Sequence, residues 1–590
     1  MSATATEPGV SLLDQPHHDG SDLYVLERPT ELGDEAVLRI RVPKSPDTVV
    51  LRYVENGEPR SAEAKPDGAG WWVARFTVVN PYVSYRWLLS GGDVGYAWLN
   101  GTGLVEHDVP DSDDFVLSVD PGGPEWHAES VVYEIFPDRF ATSGLDVEPP
   151  DWVIPREWGE LPIGRGPETP FEWFRGDLGG IEQHLDHIEQ LGANVIYLTP
   201  VFPAGSTHRY DSTTFDHVDP LLGGDEALES LVRAAHARGM RVVSDLTTNH
   251  TGDKHEWFVA GERDLYLFDE SGDYESWWGI KSLPKLNWLS AELRTRIQAV
   301  ARKWLQPPYS LDGWRVDVAN MSGRTGATDV NRDVAPTLRE VLNDDSVLVS
   351  EHFHDFRSDF RGWHGTMNYA GFSKPVWAWL RRDGTQYVGM PVPMPRFTGA
   401  ETAATTRAFS AGVPWQFTQH SWALLDSHDS PRFRTLAASH EHQLVGVGLQ
   451  MTTLGVPMVF AGDEVGLEGE WGEDARRTMP WDRPESWDGE LLEQYRRLIA
   501  IRRSSPALAR GGLRFVFVDD DVIAYLRESR DERLLCLASR DEHEPVRLPL
   551  AALDARGLEP LYGDGVHVDG EDAVLPATGP AFHVWRLTNG

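Results

Sequence analysis

The chain is poor in the features that would tie it to a membrane, an oxidising compartment or a polyanion. Among 590 residues there is one cysteine, Cys536, so no intrachain disulfide can form, which fits a reducing compartment. No run approaches 18 consecutive apolar residues, so no membrane-spanning helix is expected. Positions 1–20 are polar, with Asp14, His17 and His18, and lack the basic start and apolar stretch of a signal peptide. A cytoplasmic location is the resulting expectation. Positive charge is also scarce. The formal net charge is -38, a surface that repels nucleic acid and anionic lipid alike, so neither is expected as a partner. A neutral substrate is compatible with it. There is no internal repeat and no low-complexity tract.

What is present is a long, globular, aromatic-rich chain. Hydrophobic residues are 41% and aromatics 10%, including 23 Trp. Part of that Trp is core; a surplus also suits stacking on the apolar faces of sugar rings. The length calls for two to four domains. Residues 1–124 read as short strands (49–53, 71–78, 83–89, 115–119) broken by Asn56 and Gly57, Asp67 and Gly68, and Gly91 and Gly92, the pattern of an antiparallel β-sandwich. Pro121 to Pro124 reads as a linker. Residues 125–505 alternate strands (131–136, 194–199, 240–246, 313–318, 346–350, 422–425, 457–460) with helices (180–191, 226–238, 291–305, 335–342, 443–454, 491–502). Such alternation over this length predicts an α/β fold, a (β/α)₈ TIM barrel, with an inserted loop subdomain at about 251–290 and a further insert near 145–174. Residues 506–590 return to strands and predict a second β-sandwich.

Four polar clusters fall at the C-terminal ends of expected barrel strands, the face on which barrel enzymes build their sites. They are Asp245 with Asn249 and His250; Arg315 with Asp317; Glu351; and His428 with Asp429. Any one carboxylate there could simply cap a helix. Four together are hard to explain by capping. Cleavage of a glycosidic bond with retention needs one carboxylate to attack the anomeric carbon and another to protonate the leaving oxygen, about 5–5.5 Å apart. Asp317 and Glu351 on adjacent strands can meet that need. Arg315 lies two residues before Asp317, on the same face, and can orient it and hold it ionised, and Asp429 is a like charge that would raise the acid's pKa.

These clusters resemble, in order, the shared regions of the α-amylase family, glycoside hydrolase family 13. Two more stretches match, Gly192 to Pro200 and Gly455 to Glu464. The resemblance implies Asp317 as nucleophile, Glu351 as general acid/base and Asp429 as the carboxylate that grips substrate hydroxyls. It implies a substrate-binding set of His208, Tyr210, Asp245, His250, Arg315, Phe353, His428 and Arg476. Leu283 to Asn287 looks like the corresponding stretch of neopullulanases, cyclomaltodextrinases and maltogenic amylases, a branch whose N-terminal sandwich covers a partner's active site in a homodimer. The chain departs from that branch at Met321, where Glu is usual, at Phe353, where Trp is usual, and at Gly472, where Asp is usual; all three bear on substrate preference. Asn249 resembles a calcium ligand of α-amylases, but 141–146 lacks the acidic density of a calcium loop, so Asn249 is expected to be structural and no metal or cofactor is expected. The expectation is a hydrolase of α-1,4 bonds in small or cyclic α-glucans, with α-1,6 bonds left open as an addition. A glucan transferase or isomerase with the same nucleophile is the alternative, and a non-catalytic glucan-binding protein is disfavoured by the intact carboxylates.

Overall fold

The structure, a computed structural model, describes residues 9–588. Positions 1–8, where part of the expected leaderless start falls, lie outside them, as do 589 and 590. At the centre is an eight-stranded parallel barrel: β1 (Val132–Ile135), β2 (Val195–Leu198), β3 (Arg241–Thr247), β4 (Gly313–Asp317), β5 (Val347–Ser350), β6 (Gly365–Thr366), β7 (Trp422–Leu424) and β8 (Val456–Phe460). The strands run in the order β6-β5-β4-β3-β2-β1-β8-β7, and a parallel bridge from Met367 to Trp422 joins the two ends. Almost every strand residue is buried, as expected when helices cover the outside and side chains fill the inside. β4 and β5 approach so closely that a Cβ on Gly313 would stand 2.3 Å from the Val347 carbonyl oxygen, which explains a glycine at that place.

The outer helices follow the apolar spacing of the sequence. Helix Ala291–Leu305 starts at Ser290, whose side chain accepts from the Leu293 amide, and buries Leu293, Ile297, Val300, Ala301 and Trp304. Two expectations differ from what is found. The helix expected over 180–191 is two helices, Leu178–Gln183 and Leu185–Leu191, broken at His184, whose ring Nδ1 bonds the Gly180 carbonyl. Strand β6 went unrecognised because two residues carry no periodicity.

Residues 25–118 form two antiparallel sheets around Leu38, Ile40, Leu51, Trp87 and Leu89. A six-stranded and a three-stranded sheet close the C-terminal region. One strand of the six comes from the far end of the chain: Val10–Ser11 pairs with Gly512–Val518, and Leu13 joins the core formed by Val516, Leu526 and Leu535. The segment 121–124 is packed rather than loose, since a Cβ on Gly122 would meet the Gln416 side chain at 2.7 Å. Among the described residues no helix is long and apolar enough to cross a membrane.

Candidate active site

Eight of the eleven residues expected at the site line a cleft of about 970 Å³ at the C-terminal mouth of the barrel, and the buried Asp245, Arg315 and His428 contact those lining residues. Asp317 ends β4, Glu351 follows β5, and His428 and Asp429 lie in the turn after β7. The centre is the buried guanidinium of Arg315. Its Nη1 reaches Asp245 Oδ2 at 2.7 Å and Asp317 Oδ1 at 3.2 Å, and its Nη2 reaches Glu351 Oε2 at 2.9 Å. One planar fork thus holds three carboxylates in a fixed arrangement.

The backbone after Asp317 is bent to the same end. Val318 sits at φ +42°, a left-handed conformation costly for a β-branched residue. That turn aims the Val318 amide at Glu351 Oε2, 2.8 Å away. The Val318 hydrogen bond and the Arg315 ion pair therefore both fall on Oε2, and Oε1 receives neither. Arg209, at φ +64°, buries its own guanidinium on Asp219 at 2.7 Å, while its neighbours His208 and Tyr210 line the cleft with their rings stacked at 5.9 Å. Tyr210 donates to Asp245 Oδ2 at 2.9 Å and stands 2.7 Å from His428 Nε2. Arg476 Nη2 reaches Asp429 Oδ1 at 3.0 Å. His250 Nε2 is 3.9 Å from Asp317 Oδ2, and both atoms are buried without a hydrogen-bond partner. Phe353 and Met321 form part of the cleft wall. Gly472 abuts Asp429, where a Cβ would come within 3.2 Å of its backbone. Asn249 is buried, with its side-chain nitrogen on His250 Nδ1 at 3.1 Å and its backbone carbonyl accepting from the Leu286 amide, while its side-chain oxygen has no hydrogen-bond partner.

The electrostatics divide the carboxylates. Burial, reinforced by the charges of Glu351, Asp245 and Asp429, pushes Asp317 well above the usual carboxylate range, with Arg315 opposing. The expectation that Arg315 keeps Asp317 ionised thus meets a counterweight, because one cation is shared among three acids. Burial also works to raise Asp429, but His428 and Arg476 outweigh it and hold its carboxyl far below the usual range. Burial would lower His428, yet Asp429 and Glu134 lift it to about 9.

Some residues here were not singled out from the sequence. Glu134 in β1 contacts His428 Nδ1, and Tyr197 in β2 donates to Asp245 Oδ2 at 2.7 Å. Glu134 carried a signal, a lone carboxylate within an apolar strand; Tyr197 carried none. Trp277 and Trp278, in the insert, stack at 5.0 Å beside the cleft.

Comparisons with known proteins identify the family. The α-amylase catalytic-domain family matches residues 134–278 and 264–488. Neopullulanase 2 of Thermoactinomyces vulgaris is 31% identical over 494 residues, covering 79% of each chain. A cyclomaltodextrinase of Geobacillus thermopakistaniensis is 30% identical over 455 residues, 74% of this chain and 72% of that one. The ligand-free structure of a cyclic α-maltosyl-(1→6)-maltose hydrolase from Arthrobacter globiformis aligns with a TM-score of 0.65 at 31% identity, over 79% of this chain and all of that one. A cyclomaltodextrinase structure matches 98% of this chain with a TM-score of 0.73, at 24% identity a likeness of fold. The chain belongs to the α-amylase family of glycoside hydrolases, on the branch that includes cyclomaltodextrinases, neopullulanases and maltogenic amylases.

Proposed function

We propose that the protein hydrolyses α-1,4 bonds, and α-1,6 bonds where the cleft admits them, in small or cyclic α-glucans with retention of configuration. Asp317 attacks the anomeric carbon. Glu351 protonates the leaving oxygen through Oε1 and then takes a proton from the water that releases the glycosyl-enzyme. Asp429, held ionised by His428 and Arg476, accepts hydrogen bonds from substrate hydroxyls beside Asp245, His250, His208 and Tyr210. The observation that carries this reading is the Arg315 fork. It holds Asp317 at 3.2 Å and Glu351 at 2.9 Å from two nitrogens of one guanidinium, which keeps the two carboxylates beside each other. Burial and the excess of carboxylate around that one cation raise the proton affinity of Asp317.

The names of the relatives, a cyclic maltosyl-maltose hydrolase and cyclomaltodextrinases among them, support small cyclic substrates. We further propose a cytoplasmic homodimer in which the sandwich within residues 1–124 covers a partner's cleft. Met321 and Phe353 on the cleft wall keep a second reading open, in which a sugar hydroxyl replaces water as acceptor. NMR during the first turnovers on cyclic and linear glucans tests both. The α-anomer of a shortened glucan should appear first. A β-anomer appearing first would exclude the two-step route, and products longer than the substrate would favour transfer.

A further inference from the structure

Glu134 is a fully buried carboxylate at the C-terminal end of β1, and the reading above gives it no task. Its Oε1 contacts His428 Nδ1, while its Oε2 is buried without a hydrogen-bond partner. His428, also fully buried, meets three other polar groups. Asp429 Oδ2 is 3.0 Å from Nε2, the Tyr210 hydroxyl is 2.7 Å from the same atom, and Arg476 Nε donates to the His428 carbonyl at 2.8 Å. The Phe136 ring, 6.2 Å away, adds no charge.

The proton count decides the state of the ring. An ionised carboxylate only accepts, so Glu134 requires a proton on Nδ1. Tyr210 has one proton, and Asp245 Oδ2 takes it at 2.9 Å. The hydroxyl oxygen and Asp429 then both face Nε2 as acceptors, so Nε2 must carry a proton too. A neutral ring would set a lone pair against the Asp429 carboxylate and leave Glu134 as an uncompensated buried charge. We propose that Glu134 is a positioning residue that keeps His428 doubly protonated, so that an imidazolium rather than a neutral ring fixes Asp429 and faces the substrate. This rests on the cleft being the glucan-cleaving site, but the charge on His428 can be read without turnover.

The Glu134→Gln change keeps the volume and removes the obligation. The glutamine amide can donate to a neutral Nδ1, which leaves the Nε2 proton on Asp429 and takes the charge away. The direct test is a ¹⁵N NMR titration of His428 in the intact protein, its signals identified by their loss in His428→Asn. The ring should be doubly protonated at pH 7 and titrate near 9, as burial opposed by Asp429 and Glu134 dictates. In Glu134→Gln the titration should fall by more than one pH unit, a tenfold change in proton affinity. Should that variant misfold, Glu134→Asp, which draws the charge back from Nδ1, should give a smaller fall. A neutral His428 at pH 7 in the intact protein overturns the proposal, and so does an unshifted titration in whichever variant folds. Maltotriose binding to Asp317→Asn, measured from pH 6 to 10, supplies the functional readout. Affinity should fall as the pH is raised, and that fall should set in at a lower pH when Glu134→Gln is added; an identical profile would remove the carboxylate from any role in binding. A charged His428 in a protein that cleaves no glucan would sink the functional reading and leave the ring's charge state as assigned.

Discussion

At the residue scale the site is a distribution of few protons and one cation among many carboxylates. Asp317→Asn keeps the volume and hydrogen bonding to Arg315 while removing the attacking oxygen. Turnover should fall by well over about tenfold with no loss of melting temperature, and a folded variant above that level would displace Asp317 as nucleophile. Glu351→Gln should slow natural glucans by about 100-fold or more and leave aryl glucosides with acidic leaving groups much less affected, because those need little protonation. Equal losses on the two substrates would argue against the acid role. A second set of buried groups works on stability. His127 and His420 meet through their Nδ1 atoms at 3.0 Å, and the Trp422 indole donates to His127 Nε2 at 2.8 Å. Burial, helped by Arg510, lowers His420 to about 4. The unfolded chain titrates near 6.5 and so binds more protons than the native one below that pH. The neutral pair's contribution is therefore complete above pH 6.5 and is lost as the pH falls towards 4, by about 3 kcal/mol for His420. Urea midpoints from pH 7 to 4 should decline accordingly, and His420→Asn should flatten part of that slope.

At the scale of elements the informative one is the insert over residues 251–290. It returns to the end of β3 through the bridge His250 to Lys285 and closes on itself through the bridge Tyr266 to Leu286, which fixes the loop that carries Trp277 and Trp278. Trp278 is 75% exposed and sits at φ +49°. Little burial compensates a left-handed conformation that costs about 1–2 kcal/mol for a residue with a Cβ. The ring stacks on Trp277 at 5.0 Å and lines the cleft, where a sugar ring can lie against it. Trp278→Ala should raise KM for maltotriose and longer glucans about 2- to 10-fold, leaving kcat and the melting temperature close to the parent's. An unchanged KM would reduce Trp278 to an exposed ring without a task.

At the scale of the whole molecule the three regions are interlocked, which changes how the lid proposal must be tested. Removing residues 1–124 would also remove the edge strand Val10–Ser11 and the core residue Leu13 from the C-terminal sheet. Loss of activity on such a truncation would not separate a lid from a structural support. Light scattering of the intact chain tests the dimer that the lid requires: at micromolar concentration the mass should be twice the 66.0 kDa of one chain, and a clean monomer would end the shared-cleft proposal while leaving the catalytic one untouched. With a formal charge of -38 on each copy, association should tighten as salt screens repulsion.

Seven of the eight barrel strands were legible in the sequence, because a strand buried on both faces is written as a short run of apolar residues whatever surrounds it. The polar clusters were legible because strand ends place them on one face. The eleven expected site residues gather at one mouth for that reason. The two-residue β6 and the strand Val10–Ser11 were not, since their partners lie far along the chain and local pattern cannot name them. Nor could the sequence say that one guanidinium serves three carboxylates, that Val318 turns left-handed to aim an amide at Glu351, or that Glu134 rather than water stands behind His428. Composition and period fix which residues are buried and on which face. Charge state depends on which acids share one donor, and only the closed barrel decides that.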